Sequence, residues 1–434
     1  MIDIKLLREN PEKFKQAAKN KNINIDIDIL LELDEKRRKL IVEIENLRAK
    51  RNELTSTNQG TKPSQEIIDE SKRIKEKIAQ LEKEMISVEE DYNDLMIQVP
   101  TIPSPDTPIG KDETENIVVK QYGKLKKFSF EPKTHVELAK SLDLIDFERG
   151  VKVGGYRGYF LKNEASLIVL AMMMYAMNKM TKRGYLPMIP PTIIKEFGLF
   201  GSGYFKGKEY NSEVDEIYQI ATSDQEADGT LSKEKKFLIG TAEPSLLAYF
   251  SNETLKEEDL PIRICGFSPC YRSEIGGYGK DTKGLYRVHE FFKVEQVIIS
   301  KADIEESDKL QQEMVEISRS IHDDLGFTYR QIQMCTGDLS TGKYKQFDLE
   351  TWLPGSKRWA ETGSASNFLD WQARRLNIRY ITKNGEKKFV YLLNNTALPS
   401  PRPLIAIIEN YQQKDGSIEV PKVLRKYVGF KKIK

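Results

Sequence analysis

The chain has 434 residues, 39% hydrophobic and 31% charged, with 68 Lys plus Arg against 66 Asp plus Glu. That mixture describes a soluble chain with one large core and room for a further module of about 100 residues, and it excludes a single small domain. A net charge of +2 excludes bulk attraction to polyanions, so a nucleic-acid partner has to be met by a local basic surface. Cys265, Cys270 and Cys335, with three His in all, supply neither a disulfide framework nor a zinc site. The opening MIDIKLLRENPEKF carries acids and a proline where a secretion leader needs apolar residues. The longest apolar run, Leu167 to Met177, falls short of the roughly 18 to 20 residues that span a bilayer. The expectation is a cytoplasmic protein in a reducing compartment, with no membrane partner.

Residues 30–99 read as two long helices. Leu30, Leu33, Leu40, Ile44, Leu47 and Leu54 recur at 3-4 spacing, interrupted only by Arg37 and Arg51. A second seam runs from Ile67 through Ile74, Ile78, Leu81, Met85 and Val88 to Val99. Between them TSTNQGTKPS (Thr55 to Ser64) holds the Gly and Pro that stop one helix and the Ser that caps the next. The prediction is an antiparallel hairpin arm roughly 40 Å long, within an N-terminal unit of residues 1–99. From Lys36 to Lys83 the arm carries 13 Lys or Arg, among them Arg37, Arg38, Arg48, Lys50, Arg51, Arg73 and Lys77, against 8 acids. Such a bias suits a reader of phosphate backbones; a spacer or dimerisation coiled coil with a solvated charged face has the same pattern.

PTIPSPDTPIG (100–110), with four prolines, reads as a stiff linker. Beyond it, in residues 111–434, strands are expected at 237–239, 262–268, 287–299, 347–352 and 389–394, and helices at 166–183, 304–325, 367–377 and 404–412. Consecutive strands without helices between them argue for an α+β body with a mainly antiparallel sheet flanked by helices. Glycine fingerprints of P-loop and dinucleotide folds are absent.

Three segments carry chemistry. In YRSEIGGYGKDTKGLYRVHEFFKVEQV (Tyr271 to Val297), Arg272 and Glu274 end one strand and IGGYGKDTKG is a turn. Strand alternation then puts Arg287, His289, Phe291, Lys293 and Glu295 on one face. Guanidinium groups neutralise phosphates and an aromatic face stacks a base, so this inventory suits a nucleoside triphosphate, with buried acids left for an ammonium group; a salt-bridged hairpin is the plainer alternative. FDLETWLPGSKRWAETGSASNF (Phe347 to Phe368) reads as a strand, then a loop and a second acid, Glu361, with Ser364 three residues on, hard oxygen ligands fit for Mg²⁺. In Asn394 to Arg402 a strand runs into a helix with Arg402 at its N-terminus, where dipole and guanidinium both favour phosphate.

With these motifs in view, the chain resembles the bacterial-type seryl-tRNA synthetases of class II over nearly its whole length. RGYLPMIPP (Arg183 to Pro191) is similar to motif 1, YRSE with RVHEFFKVE to motif 2, and LPSPRPLIAIIENYQQKDGSIEVPKVLRKY to motif 3 with its tail. LIGTAEPSL, FDLETWLPG and SNFLDWQARRLNIRY resemble segments specific to that family. The resemblance implies ATP-dependent activation of L-serine to seryl-adenylate and its transfer to the 3′ end of tRNA(Ser). ATP would be held by Arg272, Ser273, Glu274, Arg287, Phe291, Glu361, Thr362, Gly363, Ser364 and Arg402. Arg272 would take the α-phosphate, Glu274 and Phe291 the adenine edge and face, Arg287 and Arg402 the outer phosphates, and Glu361 with Ser364 the Mg²⁺. Serine would lie against Thr241, Ala242, Glu243, Arg272, Glu295 and Thr396, while His289 is read as structural. It further implies a homodimer through motif 1 and the helix 166–183, an arm that grips a tRNA with a long variable arm, and service to selenocysteine tRNA where one is present. Two runs depart from the family pattern: ETGSAS, where two Ser usually follow the Glu, and NNTALPSPR, where the usual segment is glycine-rich. The competing readings are a paralogue charging a non-tRNA acceptor and an inactive tRNA-binding protein. Retention of the arm argues against the first, and the intact charged set against the second.

Overall fold

A computed structural model describes residues 1–56, 64–221, 224–226, 228–275 and 284–434. The chain divides into two compact units, Met1–Pro100 and Thr101–Lys434.

In the first unit, short helices Ile4–Glu9 and Pro11–Asn20 precede the long helices Ile27–Ser56 and Gln65–Met96. The Ser64 hydroxyl accepts the Ile67 amide and so starts the second long helix. The expected turn lies mostly outside the described residues, as does Lys62. Leu40 and Ile44 pack on Leu81 and Val88, with Leu33, Leu47 and Met85 beside them. The ion pairs Lys36–Glu84, Arg48–Glu82 and Lys50–Glu70 cross between the helices, falling in number on one as they rise on the other. The hairpin is thus antiparallel, held by a narrow seam in which each buried Leu or Ile is worth about 1.5–3 kcal/mol. Asp34 is 2% exposed in this seam and is paired by Arg38 at 3.0 Å and by Arg8 at 3.4 Å.

The proline-rich segment is not a free spacer. Thr101 N donates to Thr341 O, Ser104 N to Tyr344 O, and Thr336 N to Pro108 O. Prolines that cannot enter a helix or ladder here lay the chain along the second unit, lending carbonyls as acceptors.

The second unit is built on eight strands: β1 (Ile117–Tyr122), β2 (Leu186–Met188), β3 (Ile262–Tyr271), β4 (Glu290–Ser300), β5 (Tyr329–Gln333), β6 (Lys345–Leu353), β7 (Arg358–Asn367) and β8 (Tyr391–Pro399). Their order is β1-β5-β6-β7-β8-β4-β3-β2. Every pairing is antiparallel except β2 with β3. This is the α+β architecture expected.

One face is covered by helix Ile304–Asp324, whose Gln311 donates to Lys345 O and Ala365 O while Asn395 of β8 donates to Met314 O and Ser318 Oγ. Helices Asn163–Lys182 and Pro401–Asn410 share the main core with Val294, Ile298, Leu393 and Ala397. The other face is left for the polar side chains described below.

Several boundaries move. Residues 358–367, where no strand was expected after the loop that follows the first one, form β7, because Ser, Thr and Ala in ETGSAS alternate as well as any strand once β6 and β8 flank them. Helix 367–377 shrinks to Trp371–Leu376. Helix 404–412 starts instead at Pro401, whose fixed φ suits a first helical turn. Strand 287–299 begins only at Glu290, so Arg287 and His289 precede it.

Candidate active site

Arg272 leaves the end of β3. Its Nε donates to Gly240 O at 3.2 Å, one residue before Thr241, and its guanidinium sits 5.6 Å from the centre of the Phe291 ring on β4. Coulomb attraction to surrounding Tyr, Cys and carboxylate groups outweighs the burial that would lower it, so it stays a firm cation. Glu274 adopts a left-handed backbone, φ 52°, held there as its carboxylate accepts from Arg287 Nη1 at 2.8 Å. His289 exchanges two bonds with Arg272: Arg272 N donates to His289 O, and the ring Nδ1 lies 2.8 Å from Arg272 O. It fixes where Arg272 leaves the strand. The Ser273 hydroxyl is buried without a hydrogen-bond partner among the described residues. Of the glycine-rich turn, residues 276–283 lie outside the described residues.

The second cluster depends on an irregularity. Glu361 and Ser364 are three apart, and strict alternation would send them to opposite faces. In the β6–β7 register Leu349 pairs with Gly363 but Glu350 with Glu361, so Thr362 is an extra residue. Ser364 therefore returns to the face of Glu361, where Gln346 Nε2 donates to Ser364 Oγ at 3.1 Å and to Asp348 Oδ1 at 2.8 Å. Burial, and next the Glu361 charge, push the Asp348 carboxyl up to about 7. Partial burial would raise Glu361 too, yet Arg402 holds it below the usual range, its Nη1 3.0 Å from Glu361 Oε2. Arg402 also donates from Nε to Tyr286 O, and its guanidinium lies 4.7 Å from the Tyr286 ring centre. At 48% exposure the Glu361 side chain can reach a ligand.

Thr362 departs from the expected role. Its hydroxyl lies 2.7 Å from His322 Nε2 and 2.8 Å from Thr351 Oγ1, on the opposite, helix-covered face. As the extra residue of the bulge it points into the core rather than toward a nucleotide. Gly363 has no side chain to offer, and a Cβ there would touch Thr396 O at 3.4 Å; it spaces β7 from β8.

A third cluster lies on the same face. Glu295 of β4 accepts from Lys293 Nζ at 2.9 Å and from Thr396 Oγ1 of β8 at 3.3 Å. Glu243, starting helix Glu243–Ala248, accepts at one oxygen from Asn394 Nδ2 at 2.6 Å and Gln372 Nε2 at 2.7 Å. Burial first, and then Glu295, raise its carboxyl to about 7. The Thr241 hydroxyl is buried with no partner among the described residues, an orphan that a bound polar group would satisfy. Ala242 contributes only backbone. Burial first, and then the Glu243 charge, hold the Tyr204 hydroxyl well above its ordinary value, with Arg272 opposing them.

Asp348, Gln346, Lys293, Asn394, Gln372 and Tyr204 were not among the expected site residues. Strand alternation already put Lys293 on the face of Glu295 and could have found Asn394, two residues from Thr396; Asp348 lies across the ladder from Ser364, which local sequence does not show. Nothing local marks Gln372, which reaches the pocket from helix Trp371–Leu376, or Tyr204, in the loop that follows helix Glu196–Ser202.

Three departures from the family pattern are satisfied internally. Asn395, on the covered face, donates to three oxygens, including Gln296 Oε1 at 2.8 Å. Ser400 N donates to Phe292 O, and Phe292 N to Ser400 Oγ. Pro401 opens the helix that carries Arg402.

On the arm, Arg37, Arg38, Arg48, Lys50 and Lys77 are paired with Glu89, Asp34, Glu82, Glu70 and Glu43. Arg51 and Arg73 make no ion pair among the described residues. All but the Arg38 pair with buried Asp34 lie open to solvent, and exposed pairs are worth about 0.2–1 kcal/mol, little enough to be exchanged for phosphate.

The seryl-tRNA synthetase N-terminal domain model matches residues 1–103, and the class II synthetase core model for the G, H, P, S and T enzymes matches 226–411. The serine–tRNA ligase of Treponema denticola is 43% identical over 439 residues, spanning 100% of both chains. That of Dictyoglomus turgidum is 41% identical over 441 residues, spanning 100% of this chain and 99% of its own. Among solved structures, seryl-tRNA synthetase from Pyrococcus horikoshii complexed with ATP superimposes with a TM-score of 0.88 at 35% identity, covering 100% of this chain and 99% of that one. Cytoplasmic serine–tRNA ligase from Naegleria fowleri in complex with AMP gives 0.86 at 30% identity, with the same coverage.

Proposed function

The chain belongs to the seryl-tRNA synthetase family, and we propose that the polar face of its sheet carries out that family's reaction with the roles below. The enzyme activates L-serine with ATP to seryl-adenylate, releasing diphosphate, then passes the seryl group to the 3′ end of tRNA(Ser), releasing AMP. ATP and AMP in the relatives' structures support the nucleotide site.

The serine carboxylate attacks the α-phosphorus of ATP and diphosphate leaves, so no protein nucleophile is required and catalysis is positioning plus charge neutralisation. Arg272, stacked by Phe291, neutralises the α-phosphate. Adenine lies against Phe291 with its edge at Glu274, and Arg287 and Arg402 take the outer phosphates. Both arginines are now paired with carboxylates, Glu274 and Glu361, and triphosphate oxygens replace or join those partners. Glu295 and Glu243 receive the serine ammonium, while Thr396 and the orphaned Thr241 hydroxyl meet its polar atoms. Leaving such buried groups unpaired when the substrate lacks a hydroxyl disfavours alanine by roughly 10⁴-fold or more.

Glu361, Ser364 and Asp348 fit a Mg²⁺ ion: two carboxylates and a hydroxyl share one face, where burial first and then the Glu361 charge raise the Asp348 carboxyl. Their oxygens are the hard ligands such an ion would take. Bound there, Mg²⁺ would offset the negative charge of the triphosphate.

The basic arm is assigned to tRNA(Ser) with a long variable arm, and to selenocysteine tRNA where one is present. Leu167, Leu170 and Met174 form an exposed apolar stripe on helix Asn163–Lys182, which supports a homodimer. No described helix is long and apolar enough to cross a membrane, consistent with a cytoplasmic enzyme.

The single observation that carries the reading is Arg272, tied to Gly240 beside the serine pocket and stacked on Phe291 in the nucleotide site. Arg272→Ala tests it. Serine-dependent exchange of pyrophosphate into ATP should fall by at least 10²-fold with an unchanged melting temperature. Exchange near the parent rate would refute this site as the place of activation.

A further inference from the structure

Residues 284–287, which bring Arg287 to Glu274, are gripped from one side by a buried pair that none of the roles above uses. His135 opens helix His135–Ser141, capped by Thr134 and Glu137 in a reciprocal box. Its Nδ1 lies 3.0 Å from Oε1 of Glu409, and its own backbone N–H donates to the same oxygen at 3.1 Å. Glu409 is fully buried near the end of helix Pro401–Asn410, the helix that begins with Arg402. Its remaining capacity is filled by Ser356, whose backbone N–H and hydroxyl donate at 2.9 and 2.6 Å.

Because the Glu409 carboxylate accepts at Nδ1, the proton sits there and Nε2 is the ring's acceptor. That acceptor receives the Leu285 N–H at 3.3 Å. The neighbouring carbonyl, Tyr286 O, receives Arg402 Nε, and the Tyr286 ring lies between Arg358 at 3.8 Å and Arg402 at 4.7 Å. Gly284 permits the approach: its φ is 77°, and a Cβ there would stand 2.1 Å from His135 Nε2. The backbone leading to Arg287 is thus fixed by a side chain that is itself fixed from the far end of the Arg402 helix.

We propose that His135, oriented by Glu409, is a positioning residue for ATP: by holding the Leu285 amide it sets Arg287 against the outer phosphates, and it ties that placement to the helix bearing Arg402. Glu409 and His135 touch no expected substrate atom. The effect is therefore confined to nucleotide binding and leaves the serine pocket on β4 and β8 untouched. The inference rests on the reading of Arg287 as a phosphate ligand.

A double-mutant cycle in the pyrophosphate exchange assay tests both and keeps them apart. His135→Gln, which cannot bond Glu409 and Leu285 at once in the same geometry, should raise KM for ATP about tenfold, with KM for serine within twofold. Arg287→Ala should raise KM for ATP by at least as much. In the Arg287→Ala background the second change should add less than twofold, since the residue being positioned is gone. Equal effects of His135→Gln on both substrates, or full additivity with Arg287→Ala, would overturn the inference. No effect of Arg287→Ala alone would overturn the phosphate role itself. Should His135→Gln fail to fold, Gly284→Ala drives a methyl group against Nε2 from the other side; it should give the same ATP-only defect, and an unchanged KM for ATP would refute the contact's role.

Discussion

The raised Glu243 carboxyl gives the serine pocket a pH dependence of its own, beside that of Asp348 in the proposed Mg²⁺ cluster. Burial and the neighbouring Glu295 move Glu243 from 4.5 to about 7 in the folded chain. Between those values the native state keeps a proton that the unfolded chain has lost, so stability falls as pH rises through this window. At 1.36 kcal/mol per pKa unit the full loss is about 3 kcal/mol, present above pH 7 and absent below about 4.5. A serine ammonium prefers the ionised carboxylate and restores what ionisation cost. With a pKa of about 7 the ionised fraction drops about tenfold from pH 8 to pH 6, so kcat/KM for serine in pyrophosphate exchange should fall about tenfold over that range. Glu243→Gln keeps an oxygen for Asn394 and Gln372 but has no proton to lose. It should lower kcat/KM for serine throughout and flatten the profile. Added serine should raise the melting temperature more at pH 8 than at pH 6 in the parent chain and equally in the variant. A parent profile flat between pH 6 and 8, or a slope that survives in Glu243→Gln, would refute the assignment of this carboxyl to the serine ammonium.

Thr362→Val should destabilise the chain by about 1–3 kcal/mol, because His322 Nε2 and Thr351 Oγ1 lose a buried partner; KM for ATP should be unchanged, and a rise would put Thr362 back among the nucleotide ligands. Leu170→Glu, placed in the exposed stripe of helix Asn163–Lys182, should turn a dimer into a monomer in sedimentation, and a parent chain already monomeric and fully active at micromolar concentration would remove the dimer. Replacing residues 39–82 of the arm by a short Gly-rich turn spares Asp34 with Arg8 and Arg38, so pyrophosphate exchange should hardly change. Charging of tRNA(Ser) should fall by orders of magnitude, with a shallower salt dependence of tRNA binding, since each lost phosphate contact removes roughly 0.7–0.9 from the log-log slope; normal charging would make the arm a spacer.

The arm and the antiparallel body were legible because their signals are periodic: Leu40, Ile44, Leu81 and Val88 recur at the spacing of a seam, and Phe291, Lys293 and Glu295 at that of a strand. What escaped has a physical reason in each case. ETGSAS does not read as a strand because small polar residues carry no intrinsic strand preference, and only pairing with β6 and β8 makes it β7. The proline-rich stretch reads as a spacer since local sequence does not show that Thr341, Tyr344 and Thr336 will bond to it. Gln372 was invisible because it completes the serine pocket through a contact, to Glu243, made only by the folded chain.

The sheet is regular where it supplies stacking and charge, and irregular where it must present groups at other spacings. The β3–β4 ladder runs from Ile262 with Ile299 to Tyr271 with Glu290 without a shift, and its side chains arrive at period two. Three ladders break step: β1–β5 at the sheet edge, between Val118 and Lys120, and, beside the site, β6–β7 at Thr362 and β8–β4 between Thr396 and Leu398. Of the two beside the site, the first turns Glu361 and Ser364, three apart, onto one face. Beyond the second, Ser400 exchanges two hydrogen bonds with Phe292 at the head of the Arg402 helix. Uninterrupted strands would leave Ser364 among the core helices. An antiparallel sheet can thus hold a charged triphosphate without a glycine-rich phosphate loop, because its bulges re-aim single residues while the flanking ladders keep the backbone rigid.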